Sequence, residues 1–284
     1  MNLLERAHIP FYKMHGSGND FVLIDNRDLK LPVSSMSAWA RAICAPHFGV
    51  AADGLIFLDP PPKGSNLDFV WHFYNADGSR PEMCGNGSRC AARLAFELGL
   101  AERNQVFGTD AGPVKALVLP DSDQVKVRLS EPKDMRLDIK FSENELPARV
   151  HFVNVGVPHA VVLSRDVSAV DVKNQGRALR NHEHFAPQGV NVNFVQVRGQ
   201  DRISLRTYER GVEDETYACG TGAAAASIVT NALGLTGREI ETVTSGGEIL
   251  QIFIENGTVF LQGKAVLVYS GEMYLESLGL SAPA

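Results

Sequence analysis

Alternating apolar and polar positions mark many short strands along this chain and few helices. Residues 11–14 and 21–25 read as a hairpin around His15-Gly16-Ser17-Gly18-Asn19, and strands at 55–58 and 69–74 follow. Residues 114–119 and 125–129 pair around Pro120-Asp121-Ser122-Asp123, and a strand-rich second half places strands at 150–155, 160–163, 192–197, 203–208, 249–254 and 259–262. A final strand spans 267–274 and returns to the first half. Helical patterns cover 36–44, 87–98, 169–181 and 223–232. The stretch 91–98 carries charge only at Arg93 and Glu97, so it needs burial on most sides, which strands wrapped around it supply. The class is mixed α/β (α+β).

The halves resemble each other. Cys84-Gly85-Asn86-Gly87 and Cys219-Gly220-Thr221-Gly222 each open onto an alanine-rich run, and three further blocks recur in the same order, at an offset of about 135 residues. Tyr74-Asn75 matches Tyr208-Glu209, Gly49-Val50 with Asp53 matches Gly189-Val190 with Asn193, and Thr109-Asp110-Ala111-Gly112 matches Thr244-Ser245-Gly246-Gly247. This is a tandem duplication of a whole domain. The expected domains are residues 1–130 with 270–284, carrying Cys84, and 131–269, carrying Cys219, with Ser130–Asp134 as the crossing.

Glycines permit a tight turn and alanines favour helix, so each cysteine belongs at a loop-to-helix junction. The positive end of a helix favours thiolate over thiol, and its unpaired N–H groups can hold a carboxylate. Two such thiols suggest acid–base chemistry, although small residues and cysteines also fill cores. Cys44 and Cys90 have only that core reading.

Of the 284 residues 44% are apolar and 21% charged, which fits a globular protein of two domains. A net charge of −6 gives no basic footprint for nucleic acid or an anionic membrane, so the expected partner is a small molecule. The opening Met1-Asn2-Leu3-Leu4-Glu5-Arg6 lacks an apolar leader core, and no apolar run approaches the roughly 18 residues of a membrane span. A cytoplasmic protein is expected. Four cysteines are too few for a disulfide scaffold, and no spacing here suits a zinc site; His182-Glu183-His184 reads as a solvated loop, so no metal is expected.

The strings YKMHGSGNDFVLIDNR (12–27), FYNADGSRPEMCGNGSRC (73–90), GVNVNFVQV (189–197) and YERGVEDETYACGTGAAAA (208–226) resemble the diaminopimelate epimerase family, over roughly residues 11–274. The resemblance implies an epimerase without pyridoxal phosphate or other cofactor, interconverting LL- and meso-diaminopimelate for lysine and cell-wall synthesis. Its substrate closes in the cleft between the two domains, and it forms a homodimer. By that resemblance Cys84 and Cys219 are the catalytic pair, one thiolate and one thiol on opposite faces of the α-carbon. Amides of Gly85, Asn86, Gly220 and Thr221 hold the α-carboxylate. Asn19, Asn75 and Asn191 correspond to substrate-binding asparagines. Glu209 and Arg210 correspond to a pair near the substrate ammonium and distal carboxylate, and His159 to a histidine supporting the thiols. Each has a duller alternative: turn asparagines cap backbone, an ion pair can be superficial, and a single histidine is often structural.

This chain departs from the common pattern at three places: Val157 stands where an asparagine touches substrate, Gly54 follows Asp53 in place of glutamine, and Ala51 replaces a frequent glycine. They bear on the distal end of the substrate. A proline-type racemase resembles this chain less, because that type carries Cys-Gly-His at the first site. A histidine-type racemase would share both cysteine motifs. A dinucleotide-binding protein is the alternative of another class, since Gly220-x-Gly222-x-x-Ala225 formally fits the fingerprint, but the preceding residues make a poor strand.

Overall fold

In the computed structural model the chain forms two compact units, one running to Val127 and resuming at Lys264, the other Arg128–Gly263. The structure describes residues 7–141, 147 and 149–283; the opening six residues, read above for a leader, lie outside them. Among the described residues no helix is long and apolar enough to cross a membrane.

The first unit opens with β1 (His8–Gly16) and β2 (Asn19–Asp25), an antiparallel hairpin with Tyr12 opposite Leu23. A short helix α1 (Asn26–Leu29) and α2 (Val33–Ile43) lead to β3 (Gly54–Asp59), parallel to β2, and to β4 (Phe69–Asn75), antiparallel to β3. Helix α3 (Gly85–Glu97) crosses to β5 (Asn104–Thr109), parallel to β4, and β6 (Gly112–Val118) and β7 (Gln124–Arg128) follow antiparallel. Alternate residues of β2 and β3 face opposite ways. Val22, Ile24, Leu55 and Phe57 join Met36, Trp39 and Ile43 of α2 in one core. On the other side α3 touches β1, β2, β3, β4 and β6, with Asn86–Ala92, Leu94 and Ala95 all buried. Its small residues allow that approach: a Cβ on Gly87 would lie 3.2 Å from Ile56 and from Trp71.

The second unit begins with β8 (Lys133–Lys140) and β9 (Arg149–Asn154), then repeats the plan. β9 is antiparallel to β10 (Pro158–Leu163); α4 (Val172–Arg180) leads to β11 (Asn191–Val197), parallel to β10, and β12 (Arg202–Glu209) runs antiparallel to β11. After the short β13 (Asp214–Thr216), α5 (Gly220–Ala232) crosses to β14 (Glu239–Val243), parallel to β12, with β15 (Ile249–Glu255) and β16 (Thr258–Lys264) antiparallel beyond. Leaving aside the short β13, which pairs antiparallel with β12, the order of parallel and antiparallel pairings equals that of the first unit. The duplication is thus present in the hydrogen-bonded ladder as well as in the motifs. Helix α5 is buried along most of its length and touches six strands, while α4 packs on β11 and β12 through Val172, Leu179 and Gly176. A Cβ on Gly176 would come within 2.5 Å of Tyr208, so this helix is seated by the lack of a side chain. The last strand, β17 (Val266–Tyr274), pairs antiparallel with β1, Tyr12 facing Ser270.

Several elements differ from the sequence reading. β5, β13 and β14 were not anticipated: Asn104-Gln105-Val106 and Glu239-Ile240-Glu241 are polar, and β5 is anchored where Gln105 donates to the carbonyls of Ala92 and Glu102. The polar stretch read as a crossing runs into β8, whose residues are almost all exposed and which is held by its ladder to β9. Helix α4 starts at Val172, because Asp171 caps it through the Asn174 amide and residues 167–169 form a 3-10 turn.

Candidate active site

Each unit presents one cysteine as the N-cap of its buried helix. Cys84 has extended backbone angles, and its Sγ accepts the Gly87 N–H at 3.5 Å. Cys219 does the same, receiving Gly222 N–H at 3.3 Å, with Thr221 Oγ1 3.6 Å away. The first N–H groups of a helix have no carbonyl a turn back, so Gly85, Asn86, Gly220 and Thr221 offer amide donors beside each sulfur.

Around Cys84 the hairpin turn brings Asn19, whose Oδ1 lies 3.8 Å from Sγ and accepts Asn86 Nδ2 at 3.2 Å. Asn19 is itself held by Asp53, Nδ2 to Oδ2 2.7 Å. Beneath them Arg89, fully buried, donates to Asn86 Oδ1 at 3.0 Å, Ser17 Oγ at 2.7 Å, Gly85 O and Lys264 O. Asn75 ends β4 opposite Gly54 and donates to Ser79 Oγ at 2.9 Å. The structure therefore joins Cys84, Asn86 and Asn19, with Asn75 one strand away from β2. At Gly54 a Cβ would meet Phe73 at 2.7 Å and the Tyr74 carbonyl at 2.8 Å. The backbone here leaves no space for a side chain.

In the second unit His159 on β10 stands level with Asn191 on β11. Asn191 Oδ1 accepts the Arg210 backbone N–H at 2.8 Å, which fixes the turn that starts at Arg210, directly after Glu209 ends β12. Arg210 Nη1 donates to Gln188 O at 3.2 Å. His159 is wholly buried, and burial, with the Arg210 charge adding to it, pushes its imidazolium down to about 3, so the ring is neutral. Burial raises the Glu209 carboxyl above the usual range. A group that protonates more readily folded than unfolded contributes stability that is fully present below its ordinary range and is lost as pH rises through its raised value. Glu209→Gln is therefore expected to stabilise the protein more at pH 8 than at pH 4.5, read from paired thermal melts; an equal shift at both values would show that the carboxyl is not desolvated.

Val157 contributes its carbonyl to the Val155 N–H in a turn with Gly156 at φ 86°. Cys44 and Cys90 are buried thiols pushed up to about 12 by desolvation, unsuited to reaction. His182 caps a 3-10 turn by accepting the His184 N–H, and no group of three His, Cys, Asp or Glu side chains converges among the described residues.

Two polar residues of this region escaped the sequence reading, Arg89 and Asn193. Asn193 was visible only as the repeat partner of Asp53 and as the second polar position, two residues after Asn191, in the apolar β11; that period of two puts both on one face.

Comparison with known proteins bears on most of the chain. The family model for diaminopimelate epimerase matches residues 11–134 and 151–268. The diaminopimelate epimerase of Aquifex aeolicus is 47% identical over 94% of this chain and 99% of its own length, and that of Archaeoglobus fulgidus 39% identical over 95% and 98%. Among solved structures, a hydroxyproline epimerase from Agrobacterium vitis superposes with a TM-score of 0.70 at 17% identity, covering 97% of this chain and 94% of that one. A phenazine biosynthesis protein of the PhzF family from Bacillus anthracis gives 0.67 at 15%, covering 94% and 99%. The last two share the fold.

Proposed function

The chain belongs to the diaminopimelate epimerase family and is an isomerase, and from that premise we propose that it interconverts LL- and meso-2,6-diaminopimelate, with Cys84 and Cys219 as the proton-transfer pair. The observation that carries this reading is the equivalence of the two cysteines: each caps the buried helix of one copy of a duplicated plan.

Inverting a carbon that bears a carboxylate requires removal of its proton on one face and delivery on the other. One cysteine, as thiolate, takes the α-proton; the other, as thiol, supplies one to the opposite face, and the roles exchange with the direction of reaction. Helix N-termini favour the thiolate form. Negative charge builds on the α-carboxylate as the carbanion forms, and the amides of Gly85, Asn86, Gly220 and Thr221 are donors suited to it. Asn19, Asn75 and Asn191 bind the substrate in this reading, Glu209 and Arg210 take its ammonium and distal carboxylate, and His159 supports the thiols. No carbonyl cofactor is needed, because the charge is held by hydrogen bonds. The reaction belongs to lysine and peptidoglycan precursor synthesis in the cytoplasm, where thiols stay reduced.

The test is incubation of the reduced protein with LL-diaminopimelate in D₂O, following deuterium at Cα together with the stereoisomer ratio. Conversion to the meso form with deuterium incorporated at the inverted carbon is expected. Exchange with another amino acid and none with diaminopimelate would move the activity to a racemase of the same fold, the outcome that the side-chain-free position 54 and Val157 would then explain.

A further inference from the structure

The register of the second unit gathers three buried polar side chains that need one another. Asn193 on β11 faces Thr207 on β12, and β10 lies on the other side with His159 and Ala160; His159 and Asn193 are 0% exposed and Thr207 2%. Asn193 Nδ2 is 3.0 Å from the Ala160 carbonyl oxygen and 3.1 Å from His159 Nδ1, while its Oδ1 is 3.0 Å from Thr207 Oγ1. A backbone carbonyl only accepts, so the Asn193 atom facing Ala160 has to be the amide nitrogen. This orients the amide without reference to the histidine. The second proton of the same NH₂ then points at His159 Nδ1, which must accept it. In a neutral ring the remaining proton is on Nε2. That atom is buried and has no hydrogen-bond partner among the described residues.

We propose that Asn193, backed by Thr207, is a positioning residue that locks His159 in the Nε2–H tautomer, so that the ring presents a fixed hydrogen-bond donor and cannot act as a base there. The Asn193–Thr207 pair is tied to the reacting helix. Asn193 Oδ1 presses against the point where a Cβ on Gly222 would sit, and Cys219 Sγ is 3.2 Å from that same point. The absence of a side chain at 222 thus lets the amide lie against the first turn of α5, beside the sulfur. A neutral N–H donor on this ring suits any anionic group brought to it, thiolate or carboxylate, because it orients the charge without protonating it. The relevance to catalysis rests on the function proposed above; the tautomer does not.

The experiment is two-bond ¹H–¹⁵N NMR of the full chain labelled with ¹⁵N-histidine at pH 7.5, with His159 assigned by the loss of its pattern in His159→Gln. The expected wild-type pattern is that of Nε2–H with an unprotonated Nδ1. In Asn193→Asp the carboxylate can only accept, so Nδ1 is expected to gain a proton and the pattern to shift to Nδ1–H or to the doubly protonated ring. A wild-type Nδ1–H pattern, or an unchanged pattern in the variant, would overturn the assignment; if the variant does not fold, the wild-type spectrum alone decides. Deuterium exchange at Cα by the same Asn193→Asp sample is expected to fall at least about tenfold in kcat, within the usual range for disturbed acid–base groups. Exchange at the wild-type rate alongside a shifted tautomer would sink the proposed link to catalysis and leave the tautomer assignment standing.

Discussion

Cys84→Ser and Cys219→Ser are each expected to lose interconversion of stereoisomers by at least about 10³-fold in kcat, the upper part of the range for removing a positioned acid or base. A serine hydroxyl at neutral pH neither accepts nor gives the proton as a cysteine does, and in a two-base inversion either defect stops the whole cycle. If the proposed two-base chemistry holds, the remaining thiol serves one side of the α-carbon, so each variant should keep exchange with deuterium for the stereoisomer whose proton lies on that side. The two variants should differ in which isomer they label. Folding is expected to survive, because serine is among the preferred N-caps and both positions are N-caps. The checks are turnover between isomers, isomer-resolved deuterium uptake, and a urea melt within about 0.5 kcal/mol of wild type. Turnover near the wild-type rate in either variant would refute the two-base assignment.

Arg89→Ala is expected to give the largest loss of stability of any single change near the site, at least about 3 kcal/mol. The guanidinium is fully buried and donates to Ser17 Oγ, Asn86 Oδ1 and the carbonyls of Gly85 and Lys264. Removing it leaves several buried acceptors unsatisfied at about 1–3 kcal/mol each and opens a cavity beneath the hairpin turn. It also releases Asn86, which bonds the Asn19 that lies beside Cys84, so substrate turnover should fall along with stability. Arg89→Lys keeps a charge but cannot span four acceptors in one plane, so it is expected to recover only part of the loss. Denaturant midpoints measure this; a loss under about 1 kcal/mol would show that water or relaxed carbonyls replace the guanidinium.

The duplication was legible because the chemistry of the turns repeats. Cys-Gly-x-Gly before an alanine run dictates a capped, tightly packed helix wherever it occurs, and the structure has both cysteines at that cap. Strands built on short runs of apolar residues, such as β3, β10 and β11, were legible for the same reason: their burial is written in the side chains. β8 was not, since its stability is in backbone pairing with β9, and Lys133 or Asp134 carry no sign of that. Arg89 is not legible in its motif, because a charge on a helix ordinarily faces water; two of its acceptors, Ser17 and Lys264, come from elsewhere in the sequence and two, Gly85 and Asn86, from its own turn. Asn193 hides likewise, its partners His159, Ala160 and Thr207 meeting only through strand register.

The ladder between β1 and β17 joins segments more than 240 residues apart along the chain, whereas the second unit is one continuous stretch, Arg128–Gly263. During synthesis the second unit can complete its pairings while the first still lacks a strand, so the later copy of the duplicated plan is able to mature first. The earlier copy must wait with the open edge of β1 exposed, a stage at which a chaperone or a stray strand would compete for it.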